Sequence, residues 1–293
     1  MTGWLVVNEF LHLNKFNEIH EWLLTAAGRQ DTVLLLKTNA ELLIDLPDAT
    51  YYRNPKEKPD FILFWDKDVR LAKHLELMGY PVYNSPEAIR ICDDKSLTHL
   101  TLMHAGIRMP RTIIAPMTFD NIGYTNRDFL TDVGNRLGFP MVVKECFGSF
   151  GQQVYLVGNP VELKTRMFKI GNKPALFQEY IRTSTGRDLR LQVVGDRVIA
   201  SMYRYSTNGD FRANLTIGGS MKPYNPTKEQ CDLAVICCKV IGLDFAGVDI
   251  LFGEDEEPIV CEVNSNAHFK NIYDCTGVNA ADAIMAHIRQ KLV

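Results

Sequence analysis

The chain has 293 residues, of which 46% are hydrophobic and 23% charged, and its formal net charge is −3. A chain of this length is expected to fold into two or three packed lobes. The composition lacks the basic bias typical of nucleic-acid-binding proteins, and no segment approaches the roughly 20 apolar residues of a membrane helix. Nucleic acid and membranes are therefore not expected partners.

The N-terminus and the cysteines favour a cytoplasmic location. The first residues lack a basic start and a sustained apolar run, so they predict a β-strand and not a signal peptide. The seven cysteines form no CxxC pair, and four of them lie in apolar surroundings, for example in 235–238 and 259–261. Buried free thiols are therefore expected, as in proteins of a reducing compartment.

Residues 1–90 are predicted to form an N-terminal α/β lobe. Apolar runs and amphipathic patterns alternate along this region, with strands expected at 4–9, 32–36, 61–65 and 82–83 and helices at 17–27, 40–44 and 69–78. Such alternation predicts a parallel sheet with helices on its faces.

The rest of the chain is predicted to form two further regions, 91–182 and 183–293. A helix expected at 86–105 leads into them, and Gly106 lies just past its end. The other predicted elements are strands at 140–144, 154–157 and 175–181, hairpins at 189–203 and 246–264, and helices at 161–170, 228–241 and 280–292. The expected fold class is therefore a combination of α/β and α+β.

The second of these hairpins carries the clearest constellation of polar residues. Two apolar strands, 246–252 and 259–264, are joined by an acidic turn bounded by glycine and proline. A turn centred between Asp255 and the next residue places Asp249 opposite Glu262. The intervening side chains would then face the core, a set that comprises Val248, Ile250, Cys261 and Val263.

Asp249, Glu262 and Asn264 would share the opposite face of this hairpin. Close carboxylates repel each other unless a cation neutralises them, and oxygen ligands of this kind suit Mg²⁺. The pattern therefore predicts a magnesium site at these three residues, and the alternative is a polar, solvent-facing edge of the sheet.

A glycine-containing loop follows the strand that ends at Lys144. Gly148 and Gly151 would allow backbone amides to approach phosphate oxygens, and the lysine adds a positive charge. The spacing matches neither a Walker A loop nor the GxGxxG loop of dinucleotide-binding folds. Taken alone, the loop indicates either a phosphate-binding lid over residues 147–153 or an ordinary hairpin.

The order of these motifs resembles that of the ATP-grasp ligases, and most closely the RimK-type glutamate ligases and their relatives. The matching series spans about residues 80–290: Asp94-Lys95, Lys144 with its loop, Gln178-Glu-Tyr-Ile181, Gly186-Arg-Asp-Leu-Arg190, Gly209-Asp-Phe-Arg-Ala-Asn214, Asp249 and Glu262-Val-Asn264. The resemblance implies an ATP-grasp fold preceded by a pre-ATP-grasp lobe. It also implies an ATP-dependent ligase that forms C–N bonds through an acyl phosphate.

The resemblance implies roles for individual residues. Adenine would be held at 179–180, and the ribose near Asp188. Arg212 and Asn214 would grip the terminal phosphate and the activated carboxylate, assisted by Arg204. The metal set would hold two magnesium ions, with Mn²⁺ as an alternative. The complete set implied for ATP is Lys95, Lys144, Gly148, Ser149, Gly151, Gln178, Glu179, Tyr180, Ile181, Asp188, Arg212 and Asn214.

The sequence departs from the glutamate-ligase pattern after Asn264. That branch runs through small residues and proline into a glycine-rich loop, whereas this chain continues as Ser265-Asn-Ala-His-Phe-Lys-Asn271. This tail is similar to that of the lysine- and arginine-biosynthetic carrier-protein ligases, which have an acidic residue in the place of His268. Substrate selection is therefore predicted for Arg190, Asn266, His268 and Lys270.

Three functions remain open from the sequence. The first is a ligase that joins an amino acid to a carboxylate of a peptide, protein or small molecule. The second is a ligase for an amino-group carrier protein, and the third is a nucleotide-binding regulatory protein without turnover. The sequence leaves the oligomeric state open, with a homo-oligomer among the alternatives.

Overall fold

The computed structural model describes residues 1–46, 58–149 and 151–292. Phe150, in the middle of the predicted lid, lies outside these ranges. The described strands form three sheets, one in each region predicted from the sequence. The mixed α/β and α+β class is confirmed, whereas the domain boundaries after residues 90 and 182 stay predictions.

The N-terminal lobe is built on a parallel sheet, as predicted. Its strands are β1 (Thr2–Val7), β2 (Val33–Thr38), β3 (Phe61–Phe64) and β4 (Val82–Tyr83), and its helices are α1 (Asn14–Gly28) and α2 (Val69–Leu77). The strand order is β2-β1-β3-β4. All four residues of β3 are buried, which explains their continuous apolar run. The helix predicted at 40–44 is wrong: the chain makes turns there, because a segment so short cannot offset the cost of helix nucleation.

The single helix predicted at 86–105 is two helices. They are α3 (Pro86–Asp93) and α4 (Lys95–His104). Asp94 separates them because its backbone is extended and its carboxylate accepts from the backbone N–H of Ser96 at 2.8 Å, as an N-cap does. This break places Lys95 in the first turn of α4.

The central region is an antiparallel sheet with two helices. The strands are β5 (Thr112–Ile114), β6 (Met141–Glu145), β7 (Val154–Val157) and β8 (Ala175–Glu179), in the order β5-β8-β6-β7. The helices α5 (Phe129–Leu137) and α6 (Pro160–Ile170) pack on the sheet through one apolar cluster. The sequence patterns missed β5 and α5, which are short.

The C-terminal region has a five-stranded antiparallel sheet of order β11-β10-β9-β12-β13. Its strands are β9 (Arg187–Val194), β10 (Arg197–Ser206), β11 (Gly219–Pro223), β12 (Phe245–Phe252) and β13 (Pro258–Asn264). The helices are α7 (Lys228–Ile241), α8 (Lys270–Thr276) and α9 (Ala280–Leu292). The sequence analysis missed α8, which begins inside the tail predicted to select the substrate.

The cysteines are free, in agreement with the prediction, and Cys92, Cys146, Cys237 and Cys238 are buried. None of the helices in the described ranges is long and apolar enough to cross a membrane.

Asn84 joins the N-terminal lobe to the C-terminal sheet. Its side chain is completely buried, and its Nδ2 donates to the carbonyls of Phe245 and Ser265, both at 2.9 Å. Its Oδ1 accepts from the backbone N–H groups of Asp244 and Phe245, at 2.7 and 3.2 Å. One amide thus satisfies four backbone groups across the junction, in three buried hydrogen bonds and one partly buried one.

Replacement of Asn84 by alanine is expected to lower the free energy of unfolding by about 3 kcal/mol or more, because each buried backbone group left without a partner costs about 1–3 kcal/mol. Urea denaturation measures this difference. The matched control is Asn126→Ala, whose amide donates to Asp128 on the exposed surface. An effect of Asn84→Ala as small as that of the control would contradict the proposed clamp.

Candidate active site

A cleft of about 830 Å³ contains every site residue predicted from the sequence. It is lined by residues of the central and C-terminal sheets, by residues that follow strands of the N-terminal sheet, and by Lys95 of α4, the glycine loop and the segment after Asn264. Its volume is within the usual range of small-molecule sites, which is about 300–1,000 Å³. The structure therefore brings together the predicted residues for nucleotide, metal and substrate, although their individual roles stay predictions.

Two lysines converge on the floor of the cleft. Lys95 is 7% exposed, and its Nζ donates to the carbonyl of Gly148 at 3.0 Å and lies 3.5 Å from Oε1 of Glu262. Lys144 is also 7% exposed, with its Nζ 3.7 Å from Sγ of Cys261. Glu262 is the one carboxylate within ion-pair distance of these two lysines among the described residues. Two nearly buried cations with so little negative charge nearby would favour a polyanionic ligand between them.

The glycine loop is held by the segment that carries Arg212. Gly148 and Gly151 have φ angles of +134° and +72°, which residues other than glycine rarely adopt. Arg212 Nη1 donates to the carbonyl of Gly151 at 2.7 Å, and the Asn214 side chain lies against this glycine. Asp210 orients the arginine through two hydrogen bonds to its guanidinium, at 3.0 and 2.9 Å. Arg212 and Asn214 therefore contact the predicted lid directly.

A row of charged side chains crosses the cleft face of the C-terminal sheet. Both carboxylate oxygens of Asp188 accept from Arg204, at 2.6 and 2.8 Å. Both oxygens of Asp249 accept from Arg190, and Nη2 of Arg204 lies 3.1 Å from Asp249. These residues meet because Arg204 is opposite Asp188 between β10 and β9, and Arg190 is opposite Asp249 between β9 and β12.

This row changes the expected environment of two predicted ligands. The carboxylate of Asp188 is occupied by Arg204, so the structure gives no support to its contact with the ribose, which stays a prediction. Arg190 lines the cleft but its guanidinium is paired with Asp249, so its contact with a substrate stays a prediction. Burial opposes the charge of Asp249, but the guanidiniums of Arg190 and Arg204 outweigh it and lower the pKa of this carboxyl group.

Asp249 lies opposite Glu262 in the β12–β13 hairpin, as predicted. The register near the turn differs from the prediction, however. Ile250 pairs with Val260, so the turn is centred on Asp255. A β-bulge at Cys261 then shifts the register by one residue, which pairs Asp249 with Glu262. Cys261 consequently lines the cleft and contacts Lys144. The prediction that Cys261 faces the core is wrong.

The donor atoms at this hairpin fit a magnesium ion in their chemistry. The side chain of Glu262 is 29% exposed in the cleft, and Asn264 Nδ2 points toward the carbonyl of Gly247 at 3.5 Å, so its Oδ1 points elsewhere. Asp249 could join them only by exchanging part of its arginine contacts. Within the described residues, no group of three or more His, Cys, Asp and Glu side chains has metal-binding spacing. The predicted site consists of two carboxylates and one amide, which are oxygen donors of the kind that suits Mg²⁺.

The predicted adenine end of the cleft lies at the end of β8. Glu179 Oε1 accepts from the backbone N–H of Arg111 at 2.8 Å, so this side chain is used to join β8 to the chain before β5. Gln178 is buried, and its Nε2 contacts both Thr112 Oγ1, at 2.9 Å, and Nε2 of His99. Tyr180 and Ile181 line the cleft beyond the strand.

His99 is a buried group that the sequence analysis did not consider. Burial, reinforced by the positive charges of Lys144 and Lys95, lowers its pKa to about 3. The unfolded chain has a histidine pKa of about 6.5, so between these values the unfolded state binds a proton that the folded state does not. The contribution of neutral His99 to stability is therefore complete above pH ~6.5 and is lost as the pH falls toward ~3.

Because of His99, we expect the free energy of unfolding to fall by about 1.4 kcal/mol for each unit by which the pH is lowered below ~6.5. Urea denaturation between pH ~7 and ~5 measures the slope, which His99→Leu should flatten. The control is His104→Leu, at the exposed C-terminal end of the same helix. Equal slopes in the wild type and the His99 variant would contradict the assignment.

The predicted substrate segment packs against the N-terminal lobe. Nε2 of His268 contacts the carbonyl of Lys15 at 2.9 Å, and the ring packs edge-on against Phe16. Burial lowers the pKa of His268. Lys270 Nζ lies 3.2 Å from Glu18 and 3.0 Å from Asp274, so this cation already has two carboxylate partners.

Sequence analysis missed the contribution of the N-terminal lobe to the cleft. Asn8 and Asp66 line it beside Asn266. They follow β1 and β3 directly, and the carboxyl ends of parallel strands are where such sheets bind ligands. The position of these polar residues after predicted parallel strands was the sequence signal that could have identified them as site residues.

The fold and the site together define an ATP-grasp ligase. The model of the RimK-like ATP-grasp domain matches residues 92–288, which is more than half of the chain. The chain therefore belongs to the RimK-like ATP-grasp family of carboxylate–amine ligases, and ATP and Mg²⁺ binding are typical of that family. The resemblance predicted from the sequence is confirmed at this level.

Named relatives and solved structures agree with this assignment. The chain is 34% identical to beta-citrylglutamate synthase B of Danio rerio, over 87% of this chain and 60% of that one. It is 33% identical to human N-acetylaspartylglutamate synthase A, over 80% of this chain and 58% of that one. The chain thus spans somewhat less than two thirds of either synthase. The ATP-grasp ligase PsnB, solved with minimal precursor, Mg and ADP, shares the fold with a TM-score of 0.72 and 16% identity over 99% of this chain and 97% of that one.

Proposed function

We propose that the protein activates a carboxylate with ATP and joins it to the amino group of an amino acid, with glutamate as the first candidate. The main support is the convergence of Lys95 and Lys144 with Glu262, Asn264 and the arginine row in one cleft. Such a site combines cations for phosphate with oxygen donors for a metal. The choice of glutamate is supported by the two synthases above, both of which are named for glutamate-containing products.

The reaction has two steps. An oxygen of the substrate carboxylate attacks the γ-phosphorus of ATP, and the bond from that phosphorus to the β–γ bridging oxygen breaks, which gives an acyl phosphate and ADP. The nitrogen of the amine then attacks the acyl carbon. The bond from the acyl carbon to the oxygen that it shares with the phosphoryl group breaks, the nitrogen loses a proton, and an amide and phosphate are released.

The residues of the cleft would stabilise charge in the first step. Lys95 and Lys144 would neutralise phosphate oxygens as point charges, a main contribution of proteins to phosphoryl transfer. Arg212 would hold the glycine loop closed over the nucleotide, because its guanidinium already donates to the Gly151 carbonyl. A closed loop would exclude the water that hydrolyses an acyl phosphate.

Glu262 and Asn264, with Asp249, would hold Mg²⁺. The bound ion would supply further neutralisation of the phosphate charge. We propose that two Mg²⁺ ions bind together with the nucleotide and that Mn²⁺ can replace them, which a metal titration in the presence of a nucleotide tests.

An ADP-release screen tests the proposed function. The protein is incubated with ATP, Mg²⁺, L-glutamate and one of citrate, N-acetylaspartate or a peptide with a C-terminal glutamate. We expect ADP release that requires both the carboxylate and the amine, with hydroxylamine able to replace the amine and trap the acyl phosphate as a hydroxamate. A rate no higher than with ATP alone for every pair would contradict the ligase activity and favour a nucleotide-binding regulatory protein.

A further inference from the structure

The parallel sheet of the N-terminal lobe has a topological switch point at the cleft. In the order β2-β1-β3-β4, the chain leaves β1 toward β2 on one side and later enters β3 on the other side. Open α/β sheets bind ligands in the crevice at the carboxyl ends of the two strands that flank such a point. Here Asn8 follows β1, and Trp65 and Asp66 follow β3, and all three line the cleft.

Asp66 is a desolvated carboxylate at this point. It is 7% exposed, and its oxygens accept from Asn8 Nδ2 at 3.2 Å and from the backbone N–H of Lys67 at 2.7 Å. Throughout residues 1–46, 58–149 and 151–292, no cationic side chain lies within ion-pair distance of it, because the Lys67 ammonium pairs with Asp93 instead, at 2.6 Å. Burial raises the pKa of Asp66, and the hydrogen bonds from Lys67 and Asn8, together with the charge of Lys67, offset this rise only in part.

Asn266 contributes a second buried acceptor, on a side chain that contacts the backbone of Asp66. Its Nδ2 donates to the backbone carbonyl of Asp66 at 2.6 Å, which fixes the orientation of the amide, since the reverse orientation would bring two oxygens together. The Oδ1 atom is then a buried acceptor that has no donor in the described part of the chain. A buried acceptor without a donor costs free energy that a ligand with N–H groups could recover.

We propose that Asp66 and Asn266, with Asn8 as a positioning residue, form the subsite for the ammonium group of the amine substrate. An ammonium group would supply an ion-pair partner for Asp66 and a donor for Asn266 Oδ1, and it would transfer one proton to this carboxylate before its nitrogen attacks the acyl carbon. The subsite rests on the proposed ligase function and assigns the end of the cleft where the amine enters. Asn266 lies two residues after Asn264, so the subsite is within about 7 Å along the chain of the predicted metal residues.

The test compares two ligands that differ only in the amino group. L-glutamate and glutarate, its deamino analogue, are titrated calorimetrically into the complete protein in the presence of MgADP. We expect the wild type to bind L-glutamate at least about tenfold more tightly than glutarate, as expected for a hydrogen bond to a charged group. Asp66→Asn should weaken glutamate binding about 10- to 100-fold while changing glutarate binding by less than about threefold. Asn266→Ala should produce a smaller loss of the same kind.

Asp68→Asn is the matched control. This neighbouring carboxylate caps α2 by accepting from the backbone N–H of Leu71 at 3.1 Å and does not line the cleft. Its variant should keep the wild-type preference for glutamate over glutarate. Retention of the MgADP-dependent rise in melting temperature shows that each variant is folded.

If Asp66 had only a structural role, its replacement would weaken the binding of both ligands equally and leave the ratio of their affinities unchanged. That result, or a wild type that binds the two ligands equally, would overturn the subsite. Failure of the proposed function is recognised separately, because the wild type would then release no ADP and trap no hydroxamate with any carboxylate.

Discussion

Replacement of Glu262 by alanine is expected to lower kcat/KM for amide formation by about 10³-fold, the effect typical of losing one group that stabilises transition-state charge. Its side chain is 29% exposed and lies in the cleft, 3.5 Å from Lys95. Asp249 is already neutralised by arginines, so Glu262 is the carboxylate of the predicted metal set that is most available to a cation. The free energy of unfolding should change by less than about 1 kcal/mol because no core contact is lost. Steady-state kinetics and urea denaturation measure the two quantities.

Two further variants make the comparison specific. Glu262→Gln keeps the shape but loses the charge, so it should be nearly as inactive as the alanine variant. Glu254→Ala removes an exposed carboxylate from the turn of the same hairpin and should retain wild-type activity. Full activity of Glu262→Ala would show that this residue is not needed for metal or phosphate binding.

The hairpin shows how far local sequence patterns define the site. The alternation of apolar and polar residues correctly predicted two paired strands with Asp249 opposite Glu262. The predicted centre of the turn was half a residue away from the observed one. The bulge at Cys261 compensated for this difference, because it shifts the register between the turn and Glu262. An extra residue that points into a cleft leaves the same apolar pattern as one that points into the core, so the bulge could not be predicted.

Contacts between distant strands were not predictable from local patterns. Asp188, Arg190 and Arg204 line the cleft, as expected, and their roles toward nucleotide and substrate stay predictions. They pair with each other and with Asp249 because β9 lies between β10 and β12, an order that becomes clear only when the sheet is assembled. The same applies to Asp66, which follows a strand of the N-terminal sheet, whereas the tail that it contacts follows a strand of the C-terminal sheet.

Replacement of Arg204 by leucine is expected to lower the free energy of unfolding by about 3–5 kcal/mol, the cost of leaving a buried charge without its partner. Arg204 is 6% exposed, and its guanidinium contacts both Asp188 and Asp249. Asp249 would keep Arg190, whereas Asp188 would lose its hydrogen-bonded ion pair and retain only the more distant charge of Arg190. Urea denaturation at neutral pH measures the loss.

The double variant Arg204→Leu with Asp188→Leu should recover most of this stability, because replacing a buried ion pair by apolar side chains removes both desolvation penalties. The control is Arg29→Leu, which breaks an exposed pair with Asp282 and should cost less than about 1 kcal/mol. If Arg204→Leu were as mild as this control, Asp188 would be solvated in the cleft and free to bind a ligand such as the ribose. Amide formation should stay low even in the stable double variant, since the arginine itself lines the cleft and its charge would still be absent.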